Sequence, residues 1–292
     1  MRIEYALVAG VLYGMFYALA AVGLNLVFGV LRVVNLAHGD IVVLGSFLAW
    51  ELFAALHWNA AFSALVALPV AGVAGYGLYW LLAPRLARSD DPEMISFVLF
   101  FGISQIIEAL ATFAFGANQR SLPASALLAA PLHLAGQVYP GTLVASALAA
   151  LPLLAALYLY LFRTRAGAAT RAVMASPQEA AAVGINVRRI SALTFAIGTA
   201  AAAAAGAFSI FVEGGTSPAA GVALTTTAFA VIVIGSLGNV AGTVLGGLVY
   251  GIADQVTATF ASSWANLVPY AILVLVMLAR PGGILGRKAR DA

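Results

Sequence analysis

The stretch Gly29-Val-Leu-Arg-Val-Val-Asn-Leu-Ala-His-Gly-Asp40 interrupts an apolar run that starts near residue 5 and resumes through residue 57. Arg32, Asn35, His38, Gly39 and Asp40 thus stand where lipid would otherwise be the solvent. An ionisable group at bilayer depth costs about 2.5–3.5 kcal/mol on insertion scales unless it is paired or wet. Backbone outside a helix is tolerated at that depth only where protein or water satisfies it. The stretch therefore predicts a broken or re-entrant helix. Two uses of its side chains stay open: an ion pair between Arg32 and Asp40 that holds the turn, or contact with a solute in a translocation path.

The rest of the chain agrees with a lipid solvent. Of 292 residues, 63% are hydrophobic and 9% charged, whereas a water-facing surface needs roughly a quarter of its residues charged. A soluble globule is excluded. Apolar stretches run over 5–29, 41–57, 60–83, 94–117, 140–162, 190–212, 222–237, 240–261 and 265–280. Two of them, 41–57 and 222–237, are shorter than a full crossing usually requires. The expectation is an all-α, polytopic helical membrane protein of eight or nine transmembrane helices with broken or re-entrant segments, forming one domain over residues 1–292. Met1 to Glu4 lead straight into an apolar run with no small-residue cleavage site behind it, so the first span reads as retained.

Thirteen Arg and one Lys give a net charge of +3. They gather between apolar runs, at Arg85 and Arg88, at Arg163, Arg165, Arg171, Arg188 and Arg189, and at Arg280, Arg287, Lys288 and Arg290. This is the pattern of topology markers, not of a nucleic-acid surface. Even numbers of spans separate the clusters, so all three can lie in the cytoplasm, and counting back places the N-terminus outside. With no cysteine there is no disulfide or thiolate chemistry. His57 and His133 have no ligand spacing to His38, and no metal site is expected.

The longest polar stretch, 163–189, is read as a cytoplasmic loop. Within it Ser176 followed by Pro177 has the form of an N-cap and first helical position, and Gly184 the form of a terminator, which predicts a short helix over 178–183. The loop 118–139, with Arg120, Pro123, Pro131 and His133, faces outside on the same count. A second interruption, Gly235-Ser-Leu-Gly-Asn-Val-Ala-Gly242, brings Gly235, Gly238 and Asn239 into the set of candidate path or broken-helix residues. Gly238, Gly242 and Gly246 recur every four residues, as do Gly247 and Gly251, a spacing that lets helix backbones approach closely. Gly10 and Gly14 repeat it in isolation.

Glu108 and Asp254 are acids within apolar spans, the positions a proton-coupled secondary transporter would use. Neither has a second carboxylate at helical spacing, which argues against a relay. Glu213, before Gly214 and Gly215, reads as a span-end residue near a pathway entrance. No phosphate-binding loop, metalloprotease helix or serine-hydrolase elbow occurs, so no covalent catalysis is expected. Energy for uphill transport would come from an ion gradient or a partner.

The segment Gly23-Leu-Asn-Leu-Val-Phe-Gly-Val-Leu-Arg-Val-Val-Asn-Leu-Ala-His-Gly-Asp40 resembles the N-terminal signature of LivH-type permease subunits of branched-chain amino acid ABC importers. Ser176 to Arg189 resembles the cytoplasmic loop of that family, and Gly235 to Gly247 its glycine-rich segment, in the same order. The resemblance implies a multi-pass inner-membrane permease carrying branched-chain or other hydrophobic amino acids. It also implies a second homologous permease as heterodimer partner, two cytoplasmic ATPase subunits that bind ATP and Mg, and an extracytoplasmic substrate-binding protein. No cofactor is expected on the chain itself. In this comparison Ser176, Pro177, Glu179, Ala180, Ala181, Gly184, Ile185 and Asn186 form the ATPase-coupling loop. Gly184 follows the Glu-Ala-Ala triplet after two residues where the general importer pattern leaves three. Permeases for urea, short amides or other small polar solutes look alike at these motifs and stand as the alternative within the class.

Overall fold

The computed structural model describes residues 2–86, 91–134, 136–264, 267–280 and 282–286. Arg88, Arg287, Lys288 and Arg290 of the basic clusters lie outside the described residues. The helices are α1 (Arg2–Leu31), α2 (His38–Leu56), α3 (Ala60–Leu86), α4 (Pro92–Phe115), α5 (Gly141–Arg163), α6 (Arg165–Ala175), α7 (Pro177–Ala182), α8 (Val187–Val212), α9 (Gly221–Gly235), α10 (Val240–Phe260) and α11 (Val268–Ala279). A small antiparallel hairpin, β1 (Leu132–Leu134) with β2 (Gln137–Tyr139), precedes α5.

Each of the nine apolar stretches becomes a helix, and among the described residues seven helical segments are long and apolar enough to cross a membrane. The other two fall short for visible reasons. In α10, Asp254, Gln255 and four glycines dilute 21 residues, and α11 has only 12. The chain is a polytopic helical membrane protein. Inside the loop read over 163–189 the structure holds one helix more than expected: Thr164 Oγ1 accepts the Gly167 N–H at 2.9 Å and starts α6.

At the centre, α1 packs on α10, α8, α5 and α9, while α8 also packs on α2 and α3. Lipid tails are as apolar as leucine, so such helices are held by close packing and hydrogen bonds, not by exclusion from water. Glycine supplies the closeness. A Cβ on Gly14 would lie 2.8 Å from the Gly247 carbonyl oxygen, and one on Gly10 would lie 2.6 Å from the Ile252 Cα. Gly10 and Gly14 are thus the counterpart of Gly247 and Gly251 and not an isolated pair. Gly242 and Gly246 face the other way, onto Gly235 at the end of α9. Gly238 precedes α10 in a turn with φ +75°, so it does not continue the helical face of Gly242 and Gly246.

The bundle has two chemically different ends. At one, the end of α1 meets α6, and residues 283–285 pack on the end of α9, where Ile284 N–H donates to Ile234 O at 2.9 Å. The arginines of 163–189 lie here, the charge bias expected of a cytoplasmic end. At the other, Tyr5 stacks on Tyr139 at 5.0 Å, and the Arg120 and Thr216 backbones pair.

Candidate functional site

Between α1 and α2 the chain turns back into the bundle. The Ala20 carbonyl, which belongs to α1, accepts from His38 Nε2–H at 2.7 Å. Ala20 lies eleven residues before Leu31, or roughly 16 Å at 1.5 Å per residue, so α2 begins deep in the membrane rather than at its surface. Backbone exposed by the break is satisfied locally. Asn35 Oδ1 accepts the Ala37 N–H at 3.1 Å, Thr225 Oγ1 accepts the Gly39 N–H at 2.8 Å, and the same Thr225 hydroxyl donates to Leu36 O at 3.0 Å. Asn35, His38 and Gly39 are therefore occupied in holding the break, with exposures of 2% for both Asn35 and His38.

The ion pair between Arg32 and Asp40 does not form. Arg32, in the left-handed region at φ 55°, directs its guanidinium to the Met174 carbonyl of α6 at 3.2 Å, toward the cytoplasmic end. Asp40 lies with the deep start of α2, 1% exposed, beside Gly221 of α9 and the Ser104 hydroxyl of α4. Its Oδ2 has no hydrogen-bond partner among the described residues. Glu108, one turn beyond Ser104 on α4, interacts electrostatically with Asp40.

The second interruption is held by a residue that sequence reasoning missed. Asn25 of α1 is fully buried, and its Nδ2 donates to the carbonyls of Ser236 at 3.1 Å and Asn239 at 3.0 Å and to Thr243 Oγ1 at 2.6 Å. Its Oδ1 accepts the Gly238 N–H at 2.6 Å. Asn239 in turn caps α10 by accepting the Gly242 N–H at 3.2 Å. One amide thereby ties the turn between α9 and α10 to the middle of α1. A single asparagine in an apolar run was the available signal.

On the side away from α6 and α7, a cavity of ≈ 630 Å³ opens between α1, α8, α9 and α10. Tyr17, Ser209, Glu213, Thr216, Thr227, Tyr250 and Asp254 are among its lining residues. Tyr17 and Tyr250 meet edge to face at 5.2 Å. Glu213 and Asp254, 41 positions apart in the chain, come together here. Glu213 sits at the end of α8, exposed toward the cavity. Burial pushes its carboxyl above the ordinary range, and the neighbouring Asp254 pushes it the same way.

At the cytoplasmic end, Ser176 Oγ accepts the Glu179 N–H at 3.3 Å and Pro177 opens α7. Gly184, at φ +85°, closes it: its N–H donates to Ala181 O and that of Ile185 to Ala180 O, both at 3.0 Å. Asn186 then caps α8 by accepting the Arg189 N–H at 3.0 Å. Ala180 is buried against Val30 and Val173, whereas Glu179, Ala181 and Val183 face outward.

With these elements in place, comparison with known proteins is decisive. Residues 6–277 match the family model described as branched-chain amino acid transport system, permease component. The chain belongs to this permease family. Among its relatives is the high-affinity branched-chain amino acid transport permease LivH of Escherichia coli K12, 30% identical over 95% of this chain and 94% of that protein. The corresponding BraD protein of Pseudomonas aeruginosa is 30% identical over 96% and 95%. A probable LivH of Methanocaldococcus jannaschii is 25% identical over 94% and 90%. No solved structure matches the chain. As a member of this family the permease is a multi-pass inner-membrane transport protein. Among its polar residues at depth, those around Asn25 and His38 hold breaks, whereas Glu213 and Asp254 line open space.

Proposed function

We propose that this permease forms the translocation path of an ATP-driven importer for branched-chain amino acids, with α7 as the element that receives force from an ATPase. The observation carrying this reading is the seat of α7. A six-residue helix capped at both ends buries one residue, Ala180, in a cluster with Val173 of α6 and Val30 of α1 and leaves its opposite side facing outward. A surface linker needs neither cap nor seat.

Along α1, in order from that seat, lie Asn25, which holds the turn at 236–239, then Ala20, which holds the start of α2, then Tyr17 at the outer cavity. A push on α7 would reach all three through one rigid helix. In this reading ATP binding closes two cytoplasmic ATPase subunits, α7 moves with them, and the bundle opens toward a loaded extracytoplasmic binding protein. Hydrolysis resets it. ATP and Mg stay on the partners, and the permease itself performs no catalysis. A second, homologous permease completes the membrane unit.

Affinity purification of the tagged chain from its native membrane in mild detergent tests this. An ATPase should co-purify with wild type and be lost from the Glu179→Ala, Gly184→Pro double variant, which removes an outward side chain and a residue whose φ of +85° proline cannot adopt. Absence of an ATPase from an intact wild-type preparation would overturn the proposal.

A further inference from the structure

At the end of the bundle where the arginines gather, a cavity of ≈ 430 Å³ opens between the end of α5, α6 and the turn that joins α9 to α10. Arg171 of α6 is the one charged residue among those lining it, and no acid is there to balance it. An arginine that only marked topology would extend its charge into water. Arg171 is instead half-buried, with its guanidinium 4.9 Å from the Phe162 ring centroid and its Nη1 buried without a hydrogen-bond partner among the described residues. A buried donor of this kind calls for an acceptor. Two features of the facing wall suit an anion. The first N–H groups of α10, at Val240 and Ala241, have no acceptor within their helix, and the positive end of the helix dipole lies with them. Ser236 adds a hydroxyl to the same wall, from a backbone at φ +142° that favours glycine. The membrane-crossing segments 141–163 and 218–235 both end at this level, and Phe162, Leu237 and Leu285 are exposed around the cavity.

We propose that this cavity is a binding site for the phosphate of an anionic phospholipid, with Arg171 and the start of α10 receiving the phosphate, the Ser236 hydroxyl adding a hydrogen bond, and Phe162, Leu237 and Leu285 meeting the acyl chains. The site is independent of which solute the permease carries and of what drives transport. The guanidinium fork matches phosphate oxygens, and its charge-assisted hydrogen bonds are about twice as strong as neutral ones. Basic pockets between membrane helices at this level suit such headgroups. A zwitterionic headgroup brings a cation of its own, for which the cavity has no acid. A free phosphate would leave the apolar side chains around the cavity uncovered, whereas a lipid covers them. A bound headgroup would also bridge α6 to the turn at 236–239 that Asn25 holds.

Native mass spectrometry of the full chain, delipidated in detergent and titrated with lipid, tests the site. The probes are dioleoylphosphatidylglycerol and dioleoylphosphatidylcholine, which share acyl chains and a phosphodiester and differ in net charge, with inorganic phosphate as competitor. Wild type should bind the first phosphatidylglycerol about tenfold more tightly than phosphatidylcholine, as expected for one charge-assisted contact. Arg171→Gln should remove that preference, and Arg165→Gln, at an exposed arginine of the same helix, should keep it. Ser236→Gly suits the backbone better, so it should fold with an unchanged or higher thermal midpoint and still bind phosphatidylglycerol severalfold more weakly; it decides the matter if Arg171→Gln does not fold. Equal binding of the two lipids by wild type, or a preference undiminished in a folded Arg171→Gln or in Ser236→Gly, would overturn the site. Displacement of the lipid by an equal concentration of inorganic phosphate would overturn its assignment to a phospholipid.

Discussion

Asn25 accepts the Gly238 N–H at 2.6 Å and so ties the middle of one helix to the turn between two others, 213 positions away. The same amide donates to two carbonyls of that turn. Replacing Asn25 with Leu would leave the Gly238 N–H unsatisfied and take one of two partners from each of the Ser236 and Asn239 carbonyls, a cost of about 1–3 kcal/mol. Asn25→Asp would keep the acceptor for Gly238 and set a carboxylate against the carbonyls of Ser236 and Asn239. Both variants should lower the thermal midpoint in detergent, and neither should exceed wild type.

Space around glycine separates structural from tolerant sites. A Cβ on Gly39 would meet the Thr225 backbone nitrogen and hydroxyl at 2.6 Å, where α9 supports the start of α2. Around Gly77 and Gly102 nothing lies within 4 Å. Gly39→Ala should therefore cut transport and stability together. Gly77→Ala should be neutral or stabilising by up to roughly 1 kcal/mol from helix propensity. Melting curves and uptake assays on the two variants check the contrast.

The contact between α1 and α10 makes a similar demand. A Cβ on Gly247 would lie 2.6 Å from the Gly14 carbonyl and 2.8 Å from the Ala18 Cβ. Overpacking of this kind costs about 1–3 kcal/mol. Gly247→Val should lower the thermal midpoint more than Val249→Leu, a change at a half-buried neighbour on the same helix.

Glu213 carries a pH dependence whose sign is set by its raised pKa. The folded chain binds this proton more tightly than the unfolded chain does, so its support for the fold is complete below the ordinary value of 4.5 and is lost as pH rises through the raised value. Glu213→Gln should melt above wild type at neutral pH, and the difference should vanish in acid. A difference independent of pH would remove burial of the charge as its cause.

How much of this was legible beforehand follows from the range of each interaction. The caps of α7 were readable because Ser176, Pro177 and Gly184 act on backbone within a few residues of themselves. The break before α2 was readable because polar residues at depth have few explanations. Where Arg32 and Asp40 would point was not: the roughly 16 Å between the end of α1 and the start of α2 separates them, and that drop appears only when His38 is seen against Ala20. Asn25 looked like any polar residue in an apolar run, since its partners lie beyond residue 235. Glu213 and Asp254 looked solitary for the same reason. Helix α6 leaves little trace in the sequence, because its mixture of Arg, Gly and Ala has little apolar periodicity.

Transport of radiolabelled L-leucine into proteoliposomes holding the permease with its co-purified subunits tests the account most directly. Leucine should accumulate only when ATP and the loaded binding protein are both supplied, and urea should not accumulate. Leucine accumulation driven by a proton gradient without ATP, or ATP-driven accumulation of urea in place of leucine, would contradict it.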